Sequence, residues 1–484
     1  MTEVTTPRER SFFGQPPVLA NLFGVELWER FSFYGMQGIL LIYLYYAAAD
    51  GGLGLSERTA TSIVGAYGGA VYLATILGAW VADRLLGPER VLFVAAVGVM
   101  AGHISLAVLP GLTGVTVGLV LIAIGSGGVK ATATSLVGSL YDEHDDRRDA
   151  GFSLFYLGIN LGALVGPLLT GVLQKSWGFH AGFALAAVGM AIGLVQYALG
   201  RKRLTGAARV VPNPLPPQRR LPVALAVAAA AVLVVVLALT GVLRAGQLSN
   251  VVIVLSVVAA VAYFVVILSS RRITDVERRR VYAFIPLFVA SAVFWSLYQQ
   301  QFTVVTIYSD QRLDRNLFGW EMPVSWVQSI NPVFIIVLSG VFAALWTRLG
   351  PRQPATPVKF AAGTAIMGLA FLLFLPLAGG GPNSAPLLAL AGILLVFTVA
   401  ELLLSPVGLS LSTKLAPAAF HTQMVALFFL SVALGTAASG TLATYYSEDH
   451  ETAYFGILGV IAIAIGAALA LAAKPIGRLM SGVR

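Results

Sequence analysis

The sequence predicts an all-α membrane protein, and three observations carry that prediction. Hydrophobic residues make up 57% of the 484, and charged residues only 11%. Mean hydropathy is +0.84. The apolar residues fall in repeated runs of about 20, the length that crosses a bilayer as a helix. So few charges would not keep a soluble domain dispersed, so the solvent is largely lipid. The runs are too long for barrel strands, which leaves helices as the structure that satisfies its own backbone in lipid.

The spans are expected, in order, at 22–47, 58–82, 90–109, 112–139, 150–174 and 180–200. Two very apolar ones follow at 222–243 and 250–270. Six more fall at 277–303, 323–348, 357–376, 386–413, 421–445 and 452–474, making fourteen. Loop charge supports the even number. With both termini inside, Arg58, Lys175, Arg244, Arg312 and Arg315 alone among the 31 Lys and Arg fall outside, with Arg30 and Lys130 within helices. That asymmetry places both termini in the cytoplasm. The polar start, with Pro7, Pro16 and Pro17, lacks the apolar core of a removable signal, so the first helix is expected to stay as an anchor.

The organisation reads as a cytoplasmic tail (1–20), six helices (21–200), a linker carrying two extra helices (201–276), six helices (277–474) and a cytoplasmic tail (475–484). The segment 201–220 holds four prolines and six basic residues and reads as a loop. The pair that follows carries no ionisable residue within its spans and reads as a lipid-facing hairpin. Two six-helix halves suit a transporter whose substrate sits between them near mid-membrane. Cysteine is absent, which excludes disulfides and thiolate metal sites. The net charge of +9 is spread beside apolar spans, pointing to anionic lipid headgroups and away from nucleic acid. No spacing suggests a metal site, a nucleophile triad or a phosphate loop, so no enzyme and no cofactor is expected.

Charges within the spans cost roughly 2.5–3.5 kcal/mol each on insertion scales, so they mark function. Glu26, Glu29 and Arg30 share one helical face at i, i+3 and i+4. Two carboxylates and one guanidinium cannot all be neutralised pairwise, which makes a candidate proton site. The alternative is a structural ion cluster. Lys130 follows Gly125-Ser126-Gly127-Gly128-Val129, a run that permits close helix approach. Glu401 precedes Pro406, which removes a backbone hydrogen bond. One such charge lies in each half. A cavity between an amine-seeking Glu401 and a carboxylate-seeking Lys130 suits a zwitterion. Alternatively the two pair with each other and lock the halves. His103, in the third span, reads as a packed polar residue.

These residues resemble the proton-dependent oligopeptide transporters of the major facilitator superfamily. Glu26-Leu27-Trp28-Glu29-Arg30-Phe31-Ser32-Phe33-Tyr34-Gly35 is similar to the family's ExxERFxYYG, tied there to proton coupling. Phe155-Tyr156-Leu157-Gly158-Ile159-Asn160-Leu161-Gly162 resembles FYxxINxG, and Glu401 to Ser410 resembles the tenth-helix motif. Asn331-Pro332, Lys130 and the 78–87 loop also match. The resemblance implies the major facilitator fold with two inserted helices, in the inner membrane of a bacterium and as a monomer. It implies proton-coupled import of di- and tripeptides, driven by the proton gradient. Coupling would rest on Glu26, Glu29 and Arg30. The peptide would lie between Lys130 and Glu401, with Asn331 near its amine and Asn160 nearby. Phe33, Tyr34, Tyr72, Trp295 and Phe428 would line the pocket.

Two linked positions depart from that pattern. Gln37 stands where many members carry Arg, and Gln299 where many carry Glu. One positive and one negative charge are lost together, so Lys130 lacks its usual partner. It then pairs with Glu26 or Glu29, with Glu401, or with the substrate carboxylate, helped by amide donors from Gln37, Gln299 and Asn160. The departures are expected to narrow the substrate range. Two further readings stay open: another small solute such as a modified amino acid, nitrate or a drug, and a membrane peptide sensor that does not transport.

Overall fold

A computed structural model describes residues 11–142, 145, 147–204 and 206–482. Part of the expected N-terminal tail (1–10) and the last two residues of the expected C-terminal tail (483–484) lie outside the described residues. The chain is almost wholly helical. In order the helices are α1 (Pro17–Tyr45), α2 (Glu57–Val81), α3 (Pro88–Val108), α4 (Gly111–Gly138), α5 (Arg148–Trp177), α6 (Phe179–Gly200), α7 (Pro217–Leu239) and α8 (Leu248–Ser269). They continue as α9 (Asp275–Tyr298), α10 (Val304–Gln311), α11 (Ile330–Leu349), α12 (Thr356–Leu372), α13 (Leu387–Lys414), α14 (His421–Ala443) and α15 (Glu451–Leu479). Among the described residues, thirteen segments are long and apolar enough to cross a membrane. The 29-residue α1 is a fourteenth long helix, its hydropathy lowered by Glu26, Glu29 and Arg30.

Local chemistry sets many of the ends. Proline occupies the first turn of α1, α3, α7 and α12, where its missing N–H costs nothing. Ser56 caps α2 by accepting from the Thr59 N–H. Thr274 and Glu277 form a reciprocal capping box at the start of α9. α7 begins at Pro217, five residues before the expected 222, because its first turn accommodates proline.

The seventh span departs most from expectation. It is not one helix over 277–303. α9 ends at Tyr298, a 3-10 turn covers Gln299–Phe302, and α10 carries the span on to Gln311. The break falls on three buried glutamines, Gln299, Gln300 and Gln301. Two of their polar atoms find partners outside a helical ladder: Gln300 Oε1 accepts from Tyr454 at 2.6 Å, and the Gln301 backbone carbonyl accepts from Thr306 Oγ1 at 2.8 Å. The eighth span likewise opens with a 3-10 turn (Val324–Ser329), so Asn331-Pro332 sits in the first turn of α11. α13 runs without interruption through Pro406.

Packing gathers the helices as the sequence order suggests, with α1 on α5 and α6, α3 on α4 and α6, and α12 on α13 and α15. α2 packs on α14 across the molecule, and their backbones meet closely. A Cβ at Gly65 would lie 2.5 Å from the Gly440 Cα. The expected lipid-facing pair behaves asymmetrically. α8 buries Ser249, Ser256, Ala260 and Ile267 and packs on α14 and α2. α7 buries none of its residues.

The bundle is sealed at the end away from the chain termini. Tyr45 and Tyr46, closing α1, donate to the two oxygens of Asp310 at 2.5 and 2.7 Å. Gln311 donates to Glu57 at 2.8 Å. Between α10 and α11 a two-residue hairpin pairs Asn316 with Glu321 and Leu317 with Trp320. Phe318 and Gly319 turn it with φ of +54° and +85°. The hairpin sets Glu321 beside Lys175 of α5 at 3.0 Å and Arg315 at 2.9 Å. The Lys175 ammonium holds the Glu321 carboxyl below its ordinary value, opposed by burial and aided by Arg315. Ser325, Trp326 and Ser329 donate to the carbonyls of Pro167, Leu168 and Leu164 in α5.

Candidate functional site

α1 buries its three charges against its helical neighbours. Glu26, Glu29 and Arg30 are respectively 3%, 0% and 3% exposed, so little water reaches them. The two carboxylates share one guanidinium: Arg30 Nε lies 2.9 Å from Glu26 Oε1 and 2.9 Å from Glu29 Oε2. Ser126 of α4 donates to the other Glu29 oxygen at 2.6 Å. Glu26 Oε2 and Arg30 Nη2 are buried without a hydrogen-bond partner among the described residues. Glu29 Oε2 lies at ion-pair distance from Arg30 but in no hydrogen bond among the described residues, so the cluster keeps two acceptors and one donor unspent in a low-dielectric setting.

Ser126 and Lys130 are one turn apart on α4, so the helix that holds Glu29 also presents the lysine. Close approach of α4 to α2 makes this possible. A Cβ at Gly127 would lie 2.5 Å from the Ala74 carbonyl carbon, and one at Gly78 would lie 2.7 Å from the Gly128 Cα. Lys130 forms no ion pair among the described residues. Its ammonium rests 4.2 Å from the centre of the Tyr72 ring.

A cavity of about 880 Å³ lies between the halves. Its inner wall includes Glu26, Arg30, Tyr34, Tyr72, Lys130 and Trp295, with Phe428 facing them from α14. Asp83, Arg84, Ala418 and His421 belong to its other end, toward the chain termini. The sealed end stands beyond Tyr34 and Phe302, whose rings stack at 6.1 Å. A small recess beside the cavity is lined by Phe33, Gln37, Lys130 and Gln299 among others. Gln37 Oε1 is buried there without a partner among the described residues. No carboxylate borders this recess, and Arg30 and Lys130 both do.

The second pole lies across the molecule. Glu401 is 9% exposed on α13. Tyr298 Oη lies 2.8 Å from Glu401 Oε2 and 3.2 Å from Asn331 Oδ1. Asn331 Nδ2 donates to Thr398 Oγ1 at 2.9 Å and reaches Glu401 Oε2 at 3.4 Å. Asn160 is buried on α5, and its amide donates to the Tyr156 carbonyl at 2.9 Å.

Of the residues singled out from sequence, Glu26, Arg30, Lys130, Tyr34, Tyr72, Trp295 and Phe428 meet at the cavity wall. Phe33, Gln37 and Gln299 meet at the recess, and Glu29 stands behind Arg30. Glu401 and Asn331 form their own polar cluster, while Asn160 is engaged by its own helix. Lys130 and Glu401 form no direct pair, and neither do Lys130 and the two α1 carboxylates. Ser126, Tyr298 and Thr398 were missed. Tyr298 sits in an aromatic run with Phe294 and Trp295 that reads as packing, and Ser126 sits in a glycine run that reads as close approach. His103 is fully buried in α3, with neither ring nitrogen partnered among the described residues. No group of three or more His, Asp or Glu among the described residues is placed to hold a metal.

Comparison with known proteins agrees with this architecture. The model of the POT family (PTR2) matches residues 90–461. The chain is 40% identical over 494 residues to a di-/tripeptide transporter of Lactococcus lactis subsp. cremoris, covering 98% of this chain and 99% of that one. A crystal structure of a mutant peptide transporter POT in complex with alafosfalin superposes with a TM-score of 0.92 at 45% identity, covering 98% and 97% of the two chains. A POT family transporter in complex with 5-aminolevulinic acid gives 0.91 at 39% identity, covering 96% and 98%. With fourteen long helices, a cavity between its halves and this similarity along nearly its whole length, the chain belongs to the POT family of major facilitator transporters.

Proposed function

We propose that the chain is a proton-coupled symporter that imports di- and tripeptides by alternating access. The observation that carries the reading is the separation of charge between the halves, with Lys130 at the cavity wall and Glu401 in its own polar cluster on α13. Lys130, without an ion-pair partner among the described residues, stands on α4, and Glu401 stands on α13 in the other half. Opposite charges held apart suit the two ends of a zwitterion, with the carboxylate at Lys130 and the ammonium at Glu401 and Asn331. Apolar and aromatic walls between them tolerate varied side chains.

Proton coupling falls on Glu26, Glu29 and Arg30. With two acids sharing one guanidinium, a proton from outside neutralises one carboxylate and frees part of Arg30. Glu29 is tied to α4 through Ser126, so its protonation bears directly on the helix that presents Lys130. The halves 21–200 and 277–474 rock about the cavity, and the 201–276 segment follows as a linker. With both termini in the bacterial cytoplasm, the described state faces inward, and the Tyr45, Tyr46 and Asp310 contacts close its outer side. One charge moving through 100 mV supplies about 2.3 kcal/mol. The protein acts as a monomer in the inner membrane, without a cofactor.

The recess, bordered by Arg30 and Lys130 and by no carboxylate, favours one second reading within the same class. Gln37 and Gln299 supply amides where charges are usual, so a smaller amine-bearing carboxylic acid also fits. Liposomes containing the purified protein and exposed to labelled di-alanine separate these readings. Concentrative uptake that needs an inward proton gradient and vanishes in Glu29→Gln supports the proposal. Peptide binding without uptake points to a sensor. Neither binding nor uptake points to another solute.

A further inference from the structure

The Glu401 cluster contains a group that the resemblance did not supply. Tyr298 ends α9 and is 7% exposed. Its ring is stacked on Phe294 at 5.8 Å and set edge-on to Trp295 at 5.2 Å, which holds the phenol oxygen in place. It lies within hydrogen-bond distance of two acceptors, but a tyrosine carries one O–H. The nearer acceptor is Glu401 Oε2 at 2.8 Å, and it carries the negative charge, so the proton is spent there. Asn331 Oδ1, at 3.2 Å, then keeps its lone pairs.

Both protein donors of this cluster, Tyr298 and Asn331, converge on Glu401 Oε2. Among the described residues, Glu401 Oε1 has no protein donor and is not among the buried unpartnered atoms. Thr398 fixes the other end of Asn331 by accepting from its amide, so Oδ1 cannot exchange places with Nδ2 without losing that bond. The result is a pair of fixed acceptors, Glu401 Oε1 and Asn331 Oδ1, that the hydroxyl leaves open.

We propose that Tyr298 is a positioning residue that sets the amine specificity of this site: it occupies one Glu401 oxygen and leaves two separate acceptors, which a substrate ammonium with at least two N–H bonds satisfies. The class selected is a primary or N-monomethyl ammonium. An N,N-dimethyl ammonium has a single N–H and leaves one acceptor desolvated and unpaired. The inference rests on the amine-binding role given to Glu401 above.

The test measures dissociation constants on the purified full-length protein for di-alanine and for its N-methyl and N,N-dimethyl forms. Wild type is expected to bind the first two within about three-fold and the third about ten-fold or more weakly, since a buried unpaired polar group is costly. Tyr298→Phe keeps the ring and its stacking. It frees Glu401 Oε2 as a third open acceptor, so the N-methyl form, with two N–H bonds, is expected to fall about ten-fold behind di-alanine, with three, where wild type binds both alike. Phe397→Leu removes an aromatic neighbour of the same ring (6.4 Å) without touching the hydroxyl, and should weaken all three ligands alike. Di-alanine and its N-methyl form binding alike in Tyr298→Phe overturns the inference while leaving peptide binding intact. Equal binding of all three ligands by wild type also overturns it. Failure of wild type to bind any of them overturns the peptide reading and this inference with it.

Discussion

Lys130 holds its charge in the bundle with an aromatic face as its nearest recorded support. A cation–π contact is weaker compensation than an ion pair, so the ammonium is available to an incoming carboxylate. Lys130→Ala should lower kcat/KM for free peptides about 10- to 100-fold, the worth of a charge-assisted hydrogen bond, and should change little for peptide amides. Paired uptake curves for di-alanine and its C-terminal amide check this. Gln37→Arg combined with Gln299→Glu restores both absent charges beside Lys130 and should broaden competition across a peptide panel. An unchanged panel would remove these glutamines as determinants of range. The charged residues of this site were legible because lipid makes any charge conspicuous. Tyr298, Ser126 and Thr398 were not, because an uncharged hydroxyl carries no such penalty. Their roles come from what three separate helices bring within 3 Å of it.

At the scale of elements, hydropathy located the spans, because each must fill a bilayer, but it missed how two of them begin or break. The α9–α10 interruption leaves no proline or glycine signal. It comes from glutamines whose partners, such as Tyr454, are more than 150 residues away. Glycine had the opposite fate: the run before Lys130 was legible as a close approach, and Gly127 supplies it. Gly127→Leu should push α4 off α2 at a cost of about 1–3 kcal/mol, seen as a lower melting temperature in detergent. The small hairpin at 316–321 makes a pH prediction. Lys175 lowers the Glu321 carboxyl, so their pairing is complete above the ordinary value of 4.5 and is lost as pH falls through the lowered one. Accessibility at the hairpin end should therefore rise on acidification below the ordinary carboxylate range, and Glu321→Gln should abolish that dependence.

Across the whole molecule, the described state is decided by which end is held shut. Two phenols on one carboxylate bridge that end, and nothing in the sequence around Tyr45 and Tyr46 distinguishes them. Replacing both, as Tyr45→Phe with Tyr46→Phe, removes two hydrogen bonds worth about 1 kcal/mol each. The outward-open population should rise roughly ten-fold or more. The chain has no cysteine, so one introduced as Gln299→Cys is the sole thiol to label from outside. An unchanged labelling rate would show that these bonds do not limit opening.

α7 has a different consequence. Its 23 residues measure about 35 Å along the axis, somewhat more than a typical hydrocarbon thickness of about 30 Å. Side-chain packing does not fix its tilt, since none of its residues is buried. Bilayer thickness and the short connections at its ends are left to set its angle, steep in thick membranes and slanted in thin ones. The helix is thus expected to lean with the membrane while the helices that line the cavity keep their own geometry.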